Sequence, residues 1–322
     1  GDINQDVMIL LAEGRGGTTD HIDYEAYNSV DDLIRGRGAS GGPVSVESVV
    51  NGERAFQRAL LPNDLNAVMA EAAAKGWTVP ASDLVTFRIG YVAGDKQFFH
   101  PSNETARKFK LPAESLKPSL INARKLRGHG LRTSGVPEEL IDHLWLPGTD
   151  LSSGERRYVR HGEVAKVSEG YKARIRPRWY EVPGVRVPDA IVTVFSEQPL
   201  LLINDAEWVA SNSLLCAFVR DVTVEQFAAA WYNPLTTLSI GLEVHSLGGG
   251  VVIMVPNEAS SVEVLHPSIG GASLPAVHDA LSRGDVGAAY AAGASVIRER
   301  LGSEALDLIL AGTETLTRWR TK

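Results

Sequence analysis

"DAIVTVFSEQPLLLINDAEWVASNSLLCAFVRD", Asp189 to Asp221, contains three compact apolar runs separated by turn residues. "DAIVTVFS", "PLLLIND" and "SLLCAFVRD" each have the length and residue types of a strand. The short breaks between them favour an antiparallel sheet. Upstream, "LVTFRIGYVAG" adds another strand and puts Val85, Phe87, Ile89 and Tyr91 on one half-buried face. Downstream, "TVEQFAAAWY" and "LTTLSIGLEVHSLGGG" read as two helices, the second closed by Gly248, Gly249 and Gly250 before a strand "VVIMVP". The last fifty residues are helical in pattern, punctuated by Gly284, Gly302 and Gly312. The fold class is therefore α+β: an antiparallel or mixed sheet flanked by helices, with a helical C-terminal segment.

Before the sheet, "DVMILLAEGRGG" predicts a short buried strand and a glycine turn, followed by a second extended segment. "RGRGASGGPVS", Arg35 to Ser45, is the most loop-like stretch. "LNAVMAEAAAKG" predicts a helix capped by Asn63 or Asp64 and ended by Gly76. "NETARKF" predicts a short helix capped by Ser102 or Asn103.

The chain has 322 residues, of which 44% are hydrophobic and 22% charged, the balance of a globular protein able to bury a full core. No apolar run reaches bilayer-spanning length, and "VMILLA" lacks the flanks of a signal peptide. The single cysteine, Cys216, lies in an apolar run and reads as a buried, inert thiol. A reducing, cytoplasmic setting is expected. The chain starts at Gly1 rather than Met, which suggests a trimmed protein or a piece of a longer one.

Charge is unevenly distributed. The chain carries −7 overall, but Thr86 to Tyr180 holds 18 Lys and Arg against 10 Asp and Glu, a net of +8 that leaves −15 elsewhere. A basic segment in an acidic body fits one surface facing a polyanion. Within it, "YKARIRPRWYEVPGV" places Lys172, Arg174, Arg176 and Arg178 at alternate positions. In an extended chain these share one face, roughly 6–7 Å apart, and Pro177 confines the row to an edge strand or loop. Trp179 and Tyr180 are then placed either to stack on bases or to cover the core. A second basic loop, "NARKLRGHGLR", carries Arg124, Lys125, Arg127 and Arg132, and "GYVAGDKQFFH" offers Lys96, Gln97 and His100 on a connection. Guanidinium, amide and imidazole groups on loops are suited to reading base edges.

Catalytic signatures are missing from the sequence. The eight histidines show no metal-ligand spacing, and Glu243 and His245, two apart on the predicted helix, diverge. There is no G-x-S-x-G elbow, no lysine phosphate loop and no G-x-G-x-x-G after a strand.

Four segments in order, "FRIGYVAGDKQFF", "YKARIRPRWYEVP…VPD", "LLIND…ASNSLL" and "NPLTTLSIGLEVHSLGGGVVIMVPNEA", resemble a known family. It is the C-terminal target-recognition region of adenine-N6 DNA methyltransferases of bacterial restriction–modification and phage-defence systems. The resemblance covers roughly Asp83 to the C-terminus. It implies a base-reading role for Asn212, double-stranded DNA as partner, and a catalytic methyltransferase domain or subunit that binds S-adenosylmethionine. The family's glycine-bearing cofactor loop and its Asn-Pro-Pro-Tyr/Phe motif are missing here, so no cofactor is expected in this chain. "YNPLTT" has one proline, no following aromatic residue, and opens a predicted helix. The resemblance implies three parts: residues 1–80 as a remnant of, or connector to, the upstream catalytic domain, 81–270 as the recognition domain, and 271–322 as a helical segment packed on it. The alternatives are the specificity part of a restriction nuclease or fused restriction–modification enzyme, and an interaction domain whose basic face meets an acidic protein.

Overall fold

A computed structural model describes residues 9–27, 29–51, 54–196, 198–246 and 252–321. In chain order, the elements that matter here are helix α1 (Asn63–Ala74), strand β1 (Val85–Ile89), and helices α2 (Lys96–Phe99) and α3 (Asn103–Phe109). Strands β2 (Leu116–Leu120) and β3 (Asp142–Trp145) and helices α4 (Ser153–Val164) and α5 (Tyr171–Arg174) follow. Strands β4 (Ala190–Thr193), β5 (Leu201–Ile203), β6 (Val209–Ala210) and β7 (Leu214–Val219) precede helices α6 (Val224–Trp231), α7 (Pro234–Glu243) and α8 (Ser303–Thr321).

The three apolar runs between Asp189 and Asp221 supply β4, β5 and β7, which with β1 form a four-stranded sheet in the order β1-β7-β4-β5. All its pairings are antiparallel, with Leu215 opposite Ile89 and Val192. A second, mixed sheet runs β6-β2-β3, with β6 parallel to β2 and β3 antiparallel to it. The fold class is thus α+β, with small antiparallel and mixed sheets and a helical C-terminal segment.

Three apolar clusters hold these layers. The largest lies on the four-stranded sheet and takes in Phe227 and Trp231 of α6. A second joins α1, α7 and α8 through Leu65, Leu238 and Ile309. A third is aromatic and joins α2, α4 and β3 through Phe98, Tyr158 and Trp145.

Several sequence expectations need correction. Ile9, Leu10 and Leu11 are 68–87% exposed and form no strand, while residues 6–8 lie outside those described. Val85 and Phe87 point inward, but Ile89, at the end of the strand, is 54% exposed. Helix α1 begins at Asn63, one residue after its cap position at Pro62. Helix α7 stops at Glu243: Val244 is extended, and His245 pairs with Ile253 in a short sheet rather than continuing the helix. Gly248 to Gly250 lie outside the described residues. Gly284 and Gly302 adopt positive φ at helix ends, whereas Gly312 sits inside α8, where a Cβ would meet Leu65.

Candidate nucleic-acid interface

Gly90 is the pivot of the site. A Cβ there would lie 2.2 Å from the carbonyl oxygens of Ala210 and Ser211, so only glycine lets β1 close on the turn after β6. The Tyr91 N–H donates to Ala210 O at 3.0 Å, and the Asn212 N–H donates back to Tyr91 O at 2.9 Å. On the other side of the turn, Ser213 Oγ donates to Ile121 O at 3.0 Å. The Ser211 N–H donates to Leu120 O at 2.9 Å. The turn bearing Asn212 is therefore stitched to the starts of two loops, 91–97 and 121–127.

The first loop leads into α2, where the Asp95 side chain caps the helix by accepting from the Phe98 N–H. Phe98 and Phe99 are buried, which turns Lys96 and Gln97 to the exterior. Beneath it, Tyr91 Oη lies 2.7 Å from His100 Nε2 and also bonds Ser119 Oγ. His100 Nδ1 lies 2.8 Å from Lys96 O, which can only accept, so Nδ1 carries the hydrogen and Nε2 accepts from Tyr91. Burial lowers the His100 pKa and raises that of Tyr91, so both groups are neutral at pH 7.

In the second loop, Leu126 is buried in the main core, leaving Arg124 and Arg127 exposed on either side. Lys125 is bound within the protein, its Nζ 2.8 Å from Asp142 Oδ2. Arg132 is likewise engaged, with Glu225 at 3.0 Å and Asp205 at 3.8 Å.

The basic–aromatic stretch is not an edge strand. Tyr171 to Arg174 form the helical turn α5, with Ala173 buried, followed by tight turns to Tyr180. The four cations therefore do not form a row. Arg176 folds inward, where Nη2 donates to Val92 O at 2.7 Å and Ala93 O at 2.8 Å, and its guanidinium lies over the Phe99 ring. Arg178 pairs with Glu181 at 2.8 Å. Lys172 and Arg174 stay exposed, Lys172 with its Cβ packed over Gly94. Trp179, for which both readings were open, packs in the aromatic cluster with its ring centroid 5.3 Å from that of Phe98.

The surface around Asn212 thus presents Lys96, Gln97, Arg124, Arg127, Lys172 and Arg174, while Lys125, Arg176 and Trp179 are held within the protein and Arg178 stays at the surface, paired with Glu181. A cleft of about 400 Å³ beside Gly90 and Tyr91 adds Arg88 and Arg186, which charge patterning did not single out. Arg88 lies on the face of the strand opposite Val85 and Phe87, as alternation requires, and is exposed. Helix α4 is also passed over by a search for apolar runs, yet "SSGE" at Ser152 to Glu155 is a complete capping box. Among the described residues no group of His, Cys, Asp or Glu is arranged to hold a metal, and no helix is long and apolar enough to cross a membrane. Cys216 is buried, which pushes its thiol up to about 11. Chemically, the exposed set can bind phosphates and donate to base edges; it contains no nucleophile paired with a base.

Residues 53–297 match the family of the C-terminal domain of the Type II methyltransferase M.Eco57I. The chain belongs to that family. The matched span includes every loop that meets at Asn212 and begins upstream of α1, earlier than the Asp83 boundary of the motif resemblance. No curated protein matches the sequence. Among solved structures, the type IIG restriction endonuclease BpuSI superposes with a TM-score of 0.48 at 11% identity, over 86% of this chain. The chain spans 35% of that structure.

Proposed function

We propose that this chain is the DNA-reading part of an adenine-N6 DNA methyltransferase. It docks on duplex DNA, reads a short sequence, and presents an adenine to an S-adenosylmethionine-binding catalytic part upstream or on a partner subunit. The supporting observation is the hydrogen-bonded convergence of loops 91–97 and 121–127 on the Asn212 turn, with unpaired donors and cations facing outward. In this reading Arg124, Arg127, Lys172 and Arg174 contact phosphates, which set register. Lys96, Gln97 and Asn212 contact base edges, each good contact adding about 1–3 kcal/mol of discrimination.

The Tyr-Asn-Pro sequence at Tyr232 to Pro234 supports the division of labour. Asn233 is fully buried and caps α7, accepting from the Thr236 N–H and donating to Ala230 O and Thr236 Oγ1. Its amide is fully engaged and cannot hold an extruded adenine.

The test is duplex binding by the purified chain across a salt series. Affinity should fall steeply with salt, and an Arg124→Ala/Arg127→Ala double variant should flatten the log–log slope by about 2. Asn212→Ala should relax sequence preference with the slope retained. No duplex binding at low salt would rule out the reading, and methyl transfer by this chain alone would overturn the division of labour.

A further inference from the structure

Six cations lie on a face that the site around Asn212 does not use. The end of α3 carries Arg107, Lys108 and Lys110, and α4 carries Arg156, Arg157 and Arg160; all are exposed. The two helices meet where Gly154 has no side chain: a Cβ there would lie 2.3 Å from Phe109 O and 2.5 Å from Lys110 O. Arg157 Nη2 donates to Phe109 O at 3.2 Å, which closes the same junction. The six cations therefore occupy adjacent turns of one surface.

None of the six forms an ion pair with a described residue. The carboxylates on these helices are Glu104 and Glu163, which are exposed, and Glu155, which is buried and accepts from Ser115 Oγ and the Ser152 N–H. The inner side of α4 (Gly154, Tyr158 and Gly162) packs on the aromatic cluster, so the cations point away from it. Tyr158 Oη donates to Phe98 O at 2.5 Å, and a Cβ on Gly162 would touch the rings of Phe98 and Trp179. The face is thus rigidly tied to α2, which carries Lys96 and Gln97.

We infer that the outer face of α3 and α4 grips the phosphate backbone of duplex flanking the bases read at the Asn212 turn, and reads no sequence itself. The inference rests on the DNA-reading function proposed above. Cations without ion-pair partners on two adjoining helices fit phosphates, and the rings among them, Phe109 and His161, pack on each other and on Tyr158 rather than standing free for bases. Arg156 and Arg160, four residues apart, are offset by about 6 Å along the helix, a spacing suited to successive phosphates. An acidic protein surface is the competing partner. It is disfavoured because α2, which this face braces, belongs to the proposed DNA-reading site.

The test compares the purified chain with a Lys108→Gln/Arg156→Gln/Arg160→Gln variant by fluorescence anisotropy across a salt series. Random-sequence duplexes of about 12 and about 30 bp serve as probes, and immobilised polyglutamate as an acidic decoy. On the long duplex the log–log salt slope should flatten by about 2 to 3, equally for unrelated sequences, and by less on the short one. If circular dichroism shows the triple variant misfolded, Arg160→Gln alone should flatten the slope by about 0.9. An unchanged slope with DNA binding intact overturns the inference and leaves the Asn212 site standing. Loss of polyglutamate binding at unchanged DNA slope also overturns it, and assigns the face to an acidic protein. If the unmodified chain binds no duplex at low salt, the proposed function and this inference fail together.

Discussion

Arg174 and Arg176 are two residues apart in a run of alternating cations, and the fold gives them different roles. Arg174 is exposed, while the Arg176 guanidinium holds two backbone carbonyls 83 and 84 residues away in sequence. Arg176→Ala should therefore cost about 1.5–3 kcal/mol of stability through lost charged hydrogen bonds, whereas Arg174→Ala should change it by no more than about 0.5 kcal/mol. Urea denaturation measures both; equal losses would show that the Val92 and Ala93 contacts contribute nothing. Sequence could place both residues in a basic segment. It could not separate them, because what fixes Arg176 is the backbone of a loop on another element. The same holds for Lys125, bound to Asp142, and for Trp179, whose place is made by the missing side chain at Gly162.

Among the elements, the strands of the four-stranded sheet and the short helix α3, with its Ser102 cap, were legible, and the helical turn α5 was not. β4, β5 and β7 combine apolar side chains with turn residues at both ends, so local pattern and burial agree. α5 has four residues, and its basic run fits a period of two as well as a helical turn; the exposed Ile175 and the inward Arg176 reverse what a period of two predicts. The junction of the two sheets depends on Gly90. Gly90→Ala would force β1 away from two carbonyl oxygens and should cost about 1–3 kcal/mol or more, while separating loop 91–97 from the Asn212 turn. Thermal melting and proteolysis within the loop would detect both effects. A variant with unchanged melting temperature would mean that the close approach does not constrain the loop.

For the whole molecule, α8 is packed on α1 and α7 through an apolar cluster separate from that of the sheet. Ile309 is fully buried there, so Ile309→Ala should cost about 2–5 kcal/mol despite lying far along the chain from the residues at Asn212. Chemical denaturation reads this directly, and a loss under about 1 kcal/mol would mean that α8 contributes little to holding the fold. Net charge is also a whole-molecule property. The +8 of residues 86–180 was visible in the sequence, but the fold divides its cations between the Asn212 surface, the α3–α4 face and internal bonds.

The sequence alone determined the α+β class, the antiparallel runs, the uneven charge and the methyltransferase family, because each depends on local pattern or on motifs in order. It also showed that the catalytic motifs are missing from these residues. Only the tertiary structure decided which cations face outward, which way Trp179 points, and that loops 91–97 and 121–127 meet at Asn212. Those outcomes depend on hydrogen bonds and close backbone approaches between residues far apart in the chain, and no local periodicity encodes them.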